Sequence, residues 1–165
     1  MCSAAGDGAG GPGADLTRFG DRRGAREAVA RYEELAERAL MGIYNFSKPT
    51  LACIRGYCIG GGVNVAISCD IRIASGDSTF AIPAARLGLG YRYSAMKNLV
   101  DLVGPGAATD IFFTARRLAA NEAKSIGLLS PVCDPDQLPA LLAEYTKALA
   151  PNAPPPAHAA RPLLG

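Results

Sequence analysis

A layered α/β fold is predicted for this 165-residue chain by three observations. A short apolar run at residues 50–54 leads through a glycine-rich turn into an apolar helical stretch, and then into an alternating run at 70–74. Strand, turn, helix, strand is the rhythm of β-α-β packing, in which a helix covers the face of a sheet. A hydrophobic share of 49% and a charged share of 19% fit one soluble α/β domain with a core of its own.

The elements follow in order. Residues 1–13 are rich in Gly and Ala and read as an irregular, flexible start. Over 21–46 the apolar positions Val29, Tyr32, Leu35, Ala36, Ala39, Leu40, Ile43 and Tyr44 recur at three- and four-residue steps. That spacing predicts an amphipathic helix with Arg26, Glu27, Glu33, Glu34, Glu37 and Arg38 mostly on its wet side. Lys48-Pro49 ends it, and 50–54 is a short buried strand. The glycine run opens a helix reaching about residue 69; 70–74 and 79–82 are the next strands. Residues 83–93 form a turn-rich segment with Gly88 and Gly90. Helices are expected at 95–103, 106–114, 121–126 and 135–149, with an extended connector at 128–133. Five of the 12 prolines fall in 151–165, so no helix continues through that tail. The expected organisation is a flexible start (1–13), one domain (14–150) and a proline-rich tail (151–165).

Composition excludes several functions. A formal charge of +2, from 17 basic and 15 acidic residues without a basic run, gives no reason to expect a nucleic-acid partner. Five cysteines without a C-x-x-C pair, beside a single histidine, argue against a metal site and for reduced thiols filling the core of a cytoplasmic protein. No basic-plus-apolar leader opens the chain and no apolar stretch approaches a membrane span, so no membrane partner is expected.

The chemistry concentrates in Gly56-Tyr57-Cys58-Ile59-Gly60-Gly61-Gly62-Val63-Asn64. Three glycines at a strand-to-helix junction leave the backbone bare where the first N–H groups of the helix lack internal partners. Those donors, aided by the helix dipole, suit a ligand oxygen that becomes negative. A tight packing turn is the plainer reading; the flanking residues favour the first.

Those flanks carry a resemblance. Lys48-Pro49-Thr50-Leu51-Ala52, the glycine run, Cys69-Asp70-Ile71-Arg72-Ile73-Ala74 and Phe113-Thr114-Ala115-Arg116-Arg117 together resemble the enoyl-CoA hydratase/isomerase (crotonase) family. Ala119, Asn121-Glu122-Ala123 and Gly127-Leu128 extend the likeness, which covers roughly residues 12–150. Gly13-Ala14-Asp15-Leu16 is similar to that family's other oxyanion segment, with Pro12 in place of an alanine. The resemblance implies a β-β-α spiral core, usually assembled as homo-trimers or hexamers, incomplete here at both ends and followed by helices. A truncated or divergent member is the expectation. It further implies an acyl-CoA thioester as substrate in fatty acid metabolism, with lyase or isomerase chemistry and no cofactor beyond the coenzyme A of the substrate. The thioester oxygen would be held by the N–H groups of Ala14 and Gly61.

The same comparison exposes two departures. The family's two hydration glutamates fall on Asn64 and Ala84. Asn64 can hydrogen-bond a water but not take its proton, and Ala84 can do neither. General acid–base help is worth roughly 10²–10⁴-fold, so ordinary hydration should largely be lost. The candidate catalytic residues are therefore Gly61, Ala14 and Asn64, the last as a water-positioning group or as a helix residue bonding its own backbone. The candidate substrate-binding residues are Gly60, Gly62, Tyr91, Arg92 and Tyr93, the three side chains being solvated loop groups in the plainer reading. Asp70 reads as a structural hydrogen-bonding residue, Asp77 and Glu122 as surface or capping groups, and His158 as inert. Two functions stay open: an acyl-CoA-processing enzyme, or a non-catalytic acyl-CoA binder or assembly partner. A dinucleotide site would need Gly-x-Gly-x-x-Gly, but Val65 stands in the last place. A serine peptidase would need a serine after the glycines and a histidine within the domain.

Overall fold

A computed structural model of the chain describes residues 2–4, 24–87 and 93–152. Two small sheets organise them. The first is parallel throughout, in the order β1 (Cys2–Ala4), β2 (Leu51–Ile54), β4 (Ile71–Ser75), β7 (Val132–Cys133). The second runs β3 (Tyr57–Ile59), β5 (Thr79–Ala81), β6 (Leu118–Ala119), with β6 antiparallel to β5.

The chain lays down one strand of each sheet per circuit. Leu51 pairs with Ile71 in the first sheet and Tyr57 with Thr79 in the second. Helix α2 (Gly61–Ser68) closes the first circuit, and a 3₁₀ turn at Pro83–Leu87 occupies the same place in the second. This is the β-β-α spiral the sequence was expected to form.

Helices clothe both faces of the first sheet, which explains why its strands are apolar at successive positions. Ala52 and Ile54 face the main core with Val63, Ala66 and Ile67 of α2 and Leu99 of α3 (Tyr93–Thr114). Leu51, Cys53 and Ile73 face the other way, onto Leu138, Leu141, Leu142 and Tyr145 of α5 (Leu138–Leu149). Helix α1 (Gly24–Tyr44) rests on α2 and is covered on part of its apolar stripe. Ile43 packs against the core, whereas Leu35 is 54% exposed.

Polar ties fix the register between circuits. Asp70 Oδ2 accepts from the Thr50 backbone N–H at 2.6 Å and from Thr50 Oγ1 at 2.7 Å, joining the starts of β2 and β4. Arg72 is buried in β4 and donates to the Leu128 carbonyl at 2.9 Å and the Cys69 carbonyl at 2.5 Å. Burial works against its charge and lowers its pKa, while the carbonyls, one of them capping the C-terminus of α2, satisfy its donors. The buried Ser75 and Ser78 hydroxyls lie 2.9 Å apart, and Ser75 also donates to Asp77 Oδ1.

Several sequence expectations are corrected here. Residues 2–4, expected to be irregular, pair as an edge strand against β2, because a neighbouring strand supplies order that local composition does not. Tyr57–Ile59 is a strand rather than part of the glycine turn, and the connector at 128–133 ends in β7. The two helices expected at 95–103 and 106–114 are present as expected, meeting at a non-helical Gly104 (φ 78°, ψ 163°) before Pro105. That positive φ favours glycine, and Pro105, which needs no N–H partner, starts the second helix. Helix α4 (Ala120–Ser125) follows β6 directly. Among the described residues no helix is long and apolar enough to cross a membrane.

Candidate active site

The site is built around the end of β3. Gly60 adopts φ 57° and ψ −113°, a conformation open to glycine alone, and this turns the chain from strand into helix. Its N–H donates to the Ala81 carbonyl of β5 at 2.8 Å. Its carbonyl accepts from the N–H groups of Val63 and Asn64 at 3.0 and 3.2 Å and so starts α2. Gly61 and Gly62 are the first two helical residues, and among the described residues no group accepts from either N–H. Both are half-buried. A pair of bare N–H groups at the positive end of a helix can donate to a ligand oxygen there.

Asn64 lies three residues on, about 4.5 Å along the helix axis at 1.5 Å per residue. It is half-buried and lines a small open cleft of about 20 Å³ between α1, α2 and α3. Leu40 and Tyr44 contribute from α1, Ser68 from α2, and Ala95 and Asn98 from α3. Ser68 Oγ donates to the Asn64 backbone carbonyl at 2.8 Å, so its hydroxyl hydrogen is already committed. Ala84, in the 3₁₀ turn after β5, is buried and its methyl belongs to the main core.

Gly60, Gly61, Gly62 and Asn64 are thus brought together at one turn. Tyr93 begins α3 with 82% of its surface exposed and does not line the cleft. Ala14, Tyr91, Arg92 and His158 lie outside the described residues. Cys58, beneath the turn, has its pKa pushed up to about 12 by burial, which keeps it a thiol and a poor nucleophile. Burial is also the leading cause raising Cys53 and Cys133. Glu122 pairs with Arg116 at 2.6 Å, and that hydrogen bond holds its carboxyl below the ordinary carboxylate range; Arg116 also binds Asp110. This cluster fastens α3 to α4 and takes no part in the site. Sequence reasoning passed over Tyr44, Ser68 and Asn98.

The chain has recognisable relatives. Residues 4–161 match the family model described as Enoyl-CoA hydratase/isomerase. The chain is 39% identical over 107 residues to the short-chain-enoyl-CoA hydratase of Clostridium acetobutylicum, covering 65% of this chain and 41% of that protein. It is 37% identical over 112 residues to the peroxisomal Delta(3,5)-Delta(2,4)-dienoyl-CoA isomerase of Arabidopsis thaliana, covering 68% of this chain and 40% of that one. Among solved structures, an enoyl-CoA hydratase/carnithine racemase from Magnetospirillum magneticum superposes with a TM-score of 0.82 at 31% identity, across 88% of this chain and 55% of its own. The chain therefore spans about half the length of these relatives, or less. By its motifs, its spiral of strands and these matches, the chain belongs to the enoyl-CoA hydratase/isomerase family.

Proposed function

We propose that the chain handles acyl-CoA thioesters, polarising the thioester carbonyl through backbone N–H groups of Gly61 and Ala14. The observation that carries this is the division of labour at the glycine turn. Gly60 spends its N–H on Ala81, whereas Gly61 offers its own at the first position of α2. Charge that gathers on a thioester oxygen during enolate formation is stabilised by such fixed donors, each worth about 3–4 kcal/mol of barrier. Gly60 and Gly62 keep side chains out of the ligand's approach. Tyr91, Arg92 and Tyr93 precede and open α3, where a guanidinium would pair with a phosphate or carboxylate and a phenol would donate a proton.

The chemistry after polarisation is narrower than ordinary hydration. Asn64 orients a water or an acyl substituent in the cleft but takes no proton. The Ala84 methyl faces the core, so nothing at that position acts as an acid or base. These two observations favour a second reading, a non-catalytic acyl-CoA binder or assembly partner.

Crotonyl-CoA separates the readings. Loss of its conjugated absorbance on addition of the purified chain supports an enzyme. Binding without turnover supports the second reading, and neither binding nor turnover overturns both. Asn64→Glu is the informative variant, since that residue is half-buried beside the cleft. Ala84→Glu would thrust a carboxyl into packed core, at a cost in stability that confuses its effect on activity.

A further inference from the structure

The turn from α3 into β6 is strained and held from outside. Ala115 is buried there at φ 47°, and among the described residues it alone, glycines aside, has a positive φ. A left-handed alanine persists only where neighbouring contacts hold it. The two residues after it supply such contacts in opposite directions. Arg116 donates from Nε and Nη2 to Asp110 Oδ2 of α3, at 3.0 and 2.6 Å, and pairs with Glu122 Oε1 of α4 at 2.6 Å. Its backbone N–H donates to Thr114 Oγ1 at 3.2 Å. Arg117 reaches the other way, and its guanidinium lies 5.6 Å from the ring centre of Tyr57 on β3.

That second reach crosses the whole of the second sheet. Leu118 and Ala119 of β6 pair with Phe80 and Thr79 of β5, and Thr79 pairs in turn with Tyr57. A two-residue strand makes too few ladder bonds to hold a sheet edge by itself. Arg116 anchors β6 to two helices, and Arg117 spans β5 to bear on β3. At the far end of the β3–β5 ladder the Gly60 N–H donates to the Ala81 carbonyl at 2.8 Å, the bond that sets the glycine turn. An arginine shared by two carboxylates holds better than an isolated surface pair, and being part-exposed it loosens in salt. We propose that Arg116 and Arg117 are positioning residues, an ionic staple that keeps β3 on β5, so that salt loosens the glycine turn although the staple touches no ligand. The device goes beyond the acyl-CoA reading and does not depend on which ligand the turn takes.

Amide hydrogen exchange of the full chain without ligand, read residue by residue by NMR, tests the staple. The Gly60 N–H reports the glycine turn. The Ile71 N–H, bonded to the Thr50 carbonyl at 3.1 Å in the first sheet, reports the rest of the fold. Arg116→Gln and Arg117→Ala should each speed exchange at Gly60 about three- to fivefold and leave Ile71 unchanged. Sodium chloride at about 1 M should speed Gly60 in the unaltered chain and add nothing further in Arg116→Gln. Tyr57→Leu, which removes the ring and keeps both arginines, should match Arg117→Ala. If Arg116→Gln fails to fold, Arg117→Ala, Tyr57→Leu and the salt series decide. Exchange at Gly60 that none of these changes moves overturns the proposal. So does equal acceleration at Gly60 and Ile71, which marks a loss of global stability instead.

Discussion

The chain makes two successive strand–strand–helix circuits on one scaffold and finishes them differently. β3 and β5 run side by side in register, Ile59 against Ala81. After Ile59 the backbone turns through Gly60 into the eight-residue α2 and leaves bare N–H groups at Gly61 and Gly62. After Ala81 it passes Ile82 into Pro83, which has no N–H to offer, and a five-residue 3₁₀ turn that buries Ala84. The first ending presents donors to a ligand; the second presents a methyl to the core. On the proposed reading, binding and proton transfer are therefore separable in this scaffold: the first ending offers donors, and the second offers no acid or base at Ala84.

Breaking what the circuits share should cost most. Phe80 of β5 is 1% exposed in the main core, so Phe80→Ala is expected to destabilise by about 3–5 kcal/mol in urea unfolding. Alkali should act nearly as strongly through Cys58. Its folded pKa of about 12 lies above the ordinary thiol value of 9.0, so the stability it carries is complete below pH 9 and is lost as pH rises toward 12. The slope approaches about 1.4 kcal/mol per pH unit. Unfolding curves between pH 8 and 11 should show the fall, and Cys58→Ala should flatten it.

The two endings then separate. Gly60→Val forces a β-branched residue to a positive φ and should cost about 1–3 kcal/mol, with loss of ester binding. Pro83→Ala on the second circuit should cost only about 0.4–1 kcal/mol, through greater freedom of the unfolded chain, and leave ester binding unchanged. Equal effects of these two substitutions on binding would show that the endings do not differ in function.

How much of this was legible in the sequence depended on where each signal resides. The glycine turn was legible because Gly60, Gly61 and Gly62 have a backbone reason to be there. Asp70 was legible as a structural residue, and it does bind Thr50 across the circuit. Tyr57–Ile59 and Leu118–Ala119 were not, since two or three residues carry no periodicity and become strands only by pairing with β5. The cleft was hidden for a similar reason. Tyr44, Asn64 and Asn98 come from three helices, and no local pattern announces that these helices converge. The uncovered Leu35 shows the reverse limit: a helical stripe marks apolar residues without saying how many neighbours will cover them.

The claim at the centre is that the Gly61 N–H polarises a thioester carbonyl. Proline is tolerated at the first position of a helix and removes that hydrogen, so Gly61→Pro isolates the donor. Isotope-edited infrared spectroscopy of bound crotonyl-CoA reads the bond itself. The thioester carbonyl stretch should move to lower frequency when the ester binds the unaltered chain and return toward its solution value in Gly61→Pro. A stretch that stays at its solution value in the unaltered chain, or that shifts equally in both, would contradict the account.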